Sequence, residues 1–194
     1  MRKTYLTIIL ALAACCCNAQ SSLNKCFQTL ENNTLTSNFT ITIEQQAQQP
    51  MTYKGDIIMK GQQFLLNIIE QQIAYDGLNL YVFREEDNEL TITQPTTDEL
   101  AEINPFIYAK TLTEISSISE KISGQNIIIT INPATDNTLT FTLTLRQTDY
   151  LPLKMEMKEK AVQTITVKLL SPELTTQTPD FIIKKPNATI NDLR

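Results

Sequence analysis

"NTLTFTLTLRQTDYLPLKMEMKEKAVQTITVKLL", residues Asn137–Leu170, decides the fold class. In its first segment Leu139, Phe141, Leu143 and Leu145 alternate with Thr138, Thr140, Thr142 and Thr144. In its second, Leu151, Leu153, Met155 and Met157 alternate with Pro152, Lys154 and Glu156. In its third, Ile165, Val167 and Leu169 alternate with Thr164, Thr166 and Lys168. A period of two sends every apolar side chain to one face of an extended chain. Three such segments in succession mark antiparallel strands with one apolar and one wet face.

The same period extends outward. "NFTITIEQQ" (Asn38–Gln46) puts Phe39, Ile41 and Ile43 on one face. Thr52–Gly77 reads as two or three strands, with turns near Gly61 and Asp76-Gly77, and carries Phe64, Leu66 and Ile68. Leu78–Thr93 reads as a hairpin turning through Glu85–Asn88, with Leu80 and Val82 on one arm and Leu90 and Ile92 on the other. "QNIIITINP" (Gln125–Pro133) is an apolar strand centred on Ile129, and Asp180–Arg194 a short strand and tail. Two stretches break the pattern. Ser21–Asn33 repeats Leu23, Cys26, Phe27 and Leu30 at helical spacing. At 96–112, Thr-Thr-Asp-Glu after Pro95 starts one short helix and Asn104-Pro105 another.

About ten strands with one apolar face must cover that face, and the helical residues are too few to do so tightly. The expected fold is mainly β: an incomplete, half-open antiparallel barrel with an N-terminal helix and a short helical insertion capping an apolar cavity. The expected cavity lining is Phe39, Ile41, Ile43, Phe64, Leu66, Ile68, Leu80, Val82, Leu90, Ile92, Ile129, Phe141, Leu143, Met155, Met157, Ile165 and Val167.

The first residues read as an export signal. Arg2 and Lys3 precede an apolar run, Tyr5–Ala14, too short to span a bilayer. Cleavage after Ala19 leaves one soluble domain, 20–194, in the periplasm. Leu12-Ala13-Ala14-Cys15 also has the pattern of a lipobox, which would lipidate Cys15 and anchor the protein at the outer membrane. Without Arg2 and Lys3, the balance of 16 Lys+Arg against 21 Asp+Glu becomes 14 against 21, or −7. A general attraction to nucleic acid is excluded by that sign.

The chain has no His, hence no imidazole-based triad or metal site. Four glycines leave no phosphate-cradling loop. Glu85-Glu86-Asp87 and Asp98-Glu99 fall in a turn and a helix start, where carboxylates are solvated or cap the helix. The chain reads as a binding protein without cofactors, not an enzyme. Cys26 reads as a small buried residue on a helix face.

Four stretches, in order, resemble the LolA family of periplasmic lipoprotein carriers. They are "KGDIIMKGQQFLL" (Lys54–Leu66), "YDGLNLYVF" (Tyr75–Phe83), "NELTITQPTTDELAEINP" (Asn88–Pro105) and "DFIIKKPNATINDLR" (Asp180–Arg194). The third has a form associated with the Bacteroidetes branch. The resemblance implies a half-open barrel that takes acylated lipoproteins, or another lipid, from an inner-membrane ABC-type release complex to an outer-membrane receptor, acting as a monomer. The LolB-type receptors share the architecture but are lipoproteins, the role Cys15 would serve. Periplasmic sensors such as RseB also carry the domain, beside a second one. The family's lid-latching Arg has no counterpart at Lys60-Gly61-Gln62, and Tyr81 replaces its usual Trp.

Overall fold

The computed structural model describes residues 22–112, 116–134 and 138–194. The expected export segment, with its two candidate cleavage sites and Cys15–Cys17, lies outside them. Residues 22–32 form helix α1. The chain then lays down β1 (Thr34–Gln45), β2 (Met51–Lys60), β3 (Gln63–Ile68), β4 (Gln71–Tyr75), β5 (Leu80–Arg84) and β6 (Glu89–Thr93). Helices α2 (Thr97–Ile103) and α3 (Pro105–Leu112) follow. The second half is β7 (Ser116–Ser123), β8 (Asn126–Pro133), β9 (Leu139–Arg146), β10 (Pro152–Glu159), β11 (Gln163–Thr175) and β12 (Thr189–Asp192).

The twelve strands of the described residues form one sheet, ordered β12-β6-β5-β4-β3-β2-β1-β11-β10-β9-β8-β7. β12 and β7 are its edges and do not pair with each other, so the sheet is open. The result is an incomplete barrel under a helical lid, with β1 and β11 joining two meandering halves. The pairing is antiparallel except at β12, which runs parallel to β6.

Two elements depart from the sequence reading. β7, "SSISEKIS", was hidden because Glu120 sits in the middle of its apolar face. In the C-terminal piece the strand is Thr189–Asp192, not the apolar stretch before it. Phe181 and Ile183 are buried, but that stretch joins no ladder.

Side-chain phase follows from register. Ile43, Ile165, Met157, Phe141 and Ile131 stand side by side across β1, β11, β10, β9 and β8. Next to them run Ile41, Val167, Met155, Leu143 and Ile129. This is the inner face. Two bulges interrupt it. Between Thr36 and Asn38, β11 sets two residues, Ser171 and Pro172, against the single Ser37, with Ser171 at φ 56°. A bulge is where a proline without an N–H can sit inside a sheet. On β10 the extra residue is Leu153, so Pro152 pairs with Leu145 and the strict alternation begins only at Lys154.

α1 closes one end of the inner face. Leu23, Cys26 and Leu30 are buried, as their helical spacing predicts. The Gly61 N–H donates to the Leu30 carbonyl at 2.8 Å, and Lys25 Nζ donates to Tyr150 Oη at 3.1 Å. Burial pushes the Cys26 thiol up to about 12, so it stays protonated and inert at neutral pH. A smaller cluster of Ala74, Tyr81, Phe83, Leu90 and Ile183 covers the opposite face of β4–β6. Among the described residues no helix is long and apolar enough to cross a membrane.

A candidate lipid cavity under the helical lid

α2 and α3 form the roof. Thr96 caps α2 through a capping box: its Oγ1 accepts from the Glu99 N–H, and Glu99 Oε2 accepts from the Thr96 N–H at 2.7 Å. The two helices meet at Asn104-Pro105. Asn104 is buried, and its Oδ1 accepts from the Phe106 N–H at 3.0 Å, satisfying one orphan donor of α3. Proline just after it suits the first helical position, where no N–H is needed. α3 turns Phe106, Ile107, Ala109 and Leu112 inward.

Beneath this roof lie two chambers, of about 590 Å³ and about 250 Å³. The larger has Phe141, Met155, Met157, Ile165 and Val167 as its floor. Ala101, Tyr108 and Thr111 roof it, with Asp98 and Glu102. The Tyr108 ring meets Phe141 edge-on at 6.3 Å. The smaller chamber is lined by apolar side chains alone, among them Phe39, Ile57, Leu66, Ile68, Ile73 and Leu169. Ile41, Met155 and Val167 border both chambers, as do Ile103 and Pro105 of the helix junction. The junction therefore hangs over the centre of the floor and divides the space. The larger volume falls in the range of small-molecule sites.

Nine of the expected lining residues border these chambers: Phe39, Ile41, Leu66, Ile68, Phe141, Met155, Met157, Ile165 and Val167. Phe64, Leu80, Ile129 and Leu143 share their face but are buried in filled core. Ile43 and Val82 are half-buried on that face, outside both chambers. Leu90 and Ile92 require correction. Leu90 pairs with Phe83 and Ile92 with Tyr81, so both lie on the opposite face, against the second cluster. The four-residue turn at 85–88 reverses the phase between the arms, and Thr91 and Thr93 take the inner positions instead. The sequence reading places a helical cap over the cavity but does not name its lining residues, such as Ala101, Ile103 and Tyr108, and it misses Ile57 and Ile73. Ile57-Ile58 and Ile73-Ala74 are apolar doublets, in which alternation does not say which member faces in.

The basic turn at Lys60-Gly61-Gln62 does not latch the lid through Lys60, whose Nζ donates to Thr178 Oγ1 at 2.9 Å. Among the described residues, the charged side chains that border the chambers are Asp98 and Glu102. Two perturbed carboxylates, Asp149 and Asp76, sit in turns. Asp149 is held below the usual carboxylate range chiefly by the Arg146 guanidinium. At Asp76 burial pushes upward, but donors from Asn79, Leu78 and Tyr81 outweigh it and hold the carboxyl low.

Solved structures share this fold. A protein from Thermus thermophilus superposes with a TM-score of 0.58 at 10% identity, over 90% of this chain and 99% of that one. MucB superposes at 0.51 with 14% identity, over 90% of this chain and 66% of its own, so this chain spans about two thirds of MucB. A LolA superfamily protein from Nitrosomonas europaea is similar at 0.48 and 14% identity, over 85% and 97% of the two chains. What is shared at such identities is the fold. No family model matches the chain, and no curated protein matches it in sequence.

Proposed function

We propose that this protein is a periplasmic carrier that shelters acyl chains, in the first place those of lipoproteins, between the inner and outer membranes. The observation that carries the reading is the two-chambered apolar cavity between a half-open sheet and a helical roof. Each buried methylene of an acyl chain is worth about 0.8 kcal/mol, so a 16-carbon chain needs on the order of 12 kcal/mol of shelter in transit. A dry, adaptable cavity supplies that. Met155 and Met157 on its floor add the side-chain flexibility that exchange of cargo requires. The motif resemblance supports the remaining parts of the reading: a single domain over residues 20–194, an inner-membrane release complex as donor and an outer-membrane receptor as acceptor. The test is direct. The protein is purified from its periplasm, its bound lipids are extracted for mass spectrometry, and uptake of a fluorescent fatty-acid probe is measured. Co-purified acylated species and saturable uptake are expected. Neither being found would sink the carrier.

Leu12-Ala13-Ala14-Cys15 favours a second reading, the same cavity serving as a receptor tethered to the outer membrane. Intact mass of the mature chain separates the two. A start at Gln20 fits the carrier, and a diacylated or triacylated Cys15 fits the receptor.

A further inference from the structure

Asp98 and Glu102 stand four residues apart on α2, so both side chains rise from one face of the helix. Both line the larger chamber, and both are exposed to solvent. A carboxylate that borders a cavity and is also reached by water stands at its rim. Glu99, between them, is held by Thr96 in the capping box and turned to another task. Among the described residues, neither Asp98 nor Glu102 joins an ion pair. No Lys or Arg among the described residues lines either chamber. The charge at this mouth is therefore of one sign, set above a floor with nothing to offer but apolar surface.

We infer that the cavity selects amphiphiles whose alkyl chain ends beside a positive charge, and disfavours those with an anionic end. The chain is buried on Met155, Val167 and Phe141 while the cation stays in water, opposite Asp98 and Glu102. The inference rests on the reading of the cavity as an acyl-chain site. The cation can belong to a free lipid with an amine head group, or to basic residues directly following a lipid-modified cysteine. Exposed carboxylates contribute modestly, and only at low salt.

The experiment uses three 16-carbon probes with one chain and different ends: hexadecylamine, hexadecanol and palmitate. Each displaces a fluorescent fatty-acid probe below its aggregation threshold at pH 7, in 20 mM and in 500 mM salt. Hexadecylamine is expected to displace at about three- to tenfold lower concentration than palmitate in low salt, with the ratio falling toward one in high salt. The double variant Asp98→Asn, Glu102→Gln is expected to lose the ratio between hexadecylamine and palmitate. Both residues are exposed, and equal melting temperatures of variant and parent verify that the fold is kept. Diacylated cysteine peptides followed by four lysines or four glutamates identify the source of the charge. A larger preference between the peptides than between the free amphiphiles assigns the site to lipoproteins, and a smaller one assigns it to lipids. Palmitate binding as well as hexadecylamine, or a preference surviving in the double variant, overturns the inference and leaves the carrier reading intact. Displacement by none of the three overturns both.

Discussion

A Cβ built on Gly55 would overlap the Asn67 carbonyl oxygen and stand 2.8 Å from Phe39 Cζ. Gly55 pairs with Phe39 on one side and Ile68 on the other, so the Phe39 ring lies across bare backbone at the floor of the smaller chamber. The Asn67 oxygen belongs to the ladder and cannot yield cheaply. Gly55→Ala is therefore expected to destabilise the fold by about 1–3 kcal/mol, seen as a lower urea midpoint at unchanged slope. That role is not legible in the sequence, where a glycine early in a strand says nothing of the ring that will cover it. The acidic side chains were legible only as turn residues, yet two that are half-buried, Asp149 and Asp76, link stability to acid pH. Asp149 and Asp76 both have folded-state pKa values below the usual carboxylate range. Their contributions are complete above an ordinary carboxylate pKa of about 3.9, and are lost as pH falls through the lower folded values. Stability should thus be level from pH 7 to 5 and decline from about pH 4 downward. Asp149→Asn should flatten part of that decline in urea midpoints measured between pH 5 and 2. The effect stays below about 1 kcal/mol, because the Arg146–Asp149 pair is more than a third exposed.

Among the elements, those with strict alternation were readable and those at the margins were not. β9, β10 and β11 declared themselves because polar side chains, mostly Thr and Lys with Glu156, alternate with the apolar ones. β7 did not, because its inner face reads Ile118, Glu120, Ile122. Glu120 faces Ile129 across the ladder, and its Oε2 is buried without a hydrogen-bond partner among the described residues. An unsatisfied carboxylate oxygen is costly inside a fold, yet an inward charge on a free edge strand discourages pairing with a second chain. β7 is such an edge. Glu120→Val should accordingly raise the melting temperature and, at the same time, increase self-association. Calorimetry and light scattering across a concentration series check the two halves together. A more stable variant that stays monomeric would show that β7 is protected by something other than this charge. The β5–β6 hairpin teaches a related lesson. Its two arms were each readable, but the phase between them depends on how many residues the turn consumes, and this is why Leu90 and Ile92 were placed on the wrong face.

For the whole molecule, a sequence with one apolar face per strand is compatible with a filled core and with an empty cavity, since both need the same alternation. What separates them is the amount of cover. Two short helices, Thr97–Ile103 and Pro105–Leu112, roof the middle of a twelve-strand sheet, and their junction touches the floor without filling the space on either side. That shortage was visible in the sequence, but the position of the roof was not, because it depends on where the chain crosses between the halves. A cavity left open in this way has a thermodynamic signature. A neutral ligand that binds only the folded state at a hundred times its Kd adds about 2.7 kcal/mol, or about 5–10 °C in Tm for a domain of this size. Monoacylglycerols of increasing chain length should raise the Tm progressively while each added methylene finds room, and then level off once the chain outgrows the chambers. Val167 borders both chambers, so Val167→Trp fills space on either side of the junction. It should leave the unliganded Tm unchanged or higher, and move the levelling-off to shorter chains. A filled core predicts the reverse: no dependence on chain length, and a variant that loses stability by overpacking.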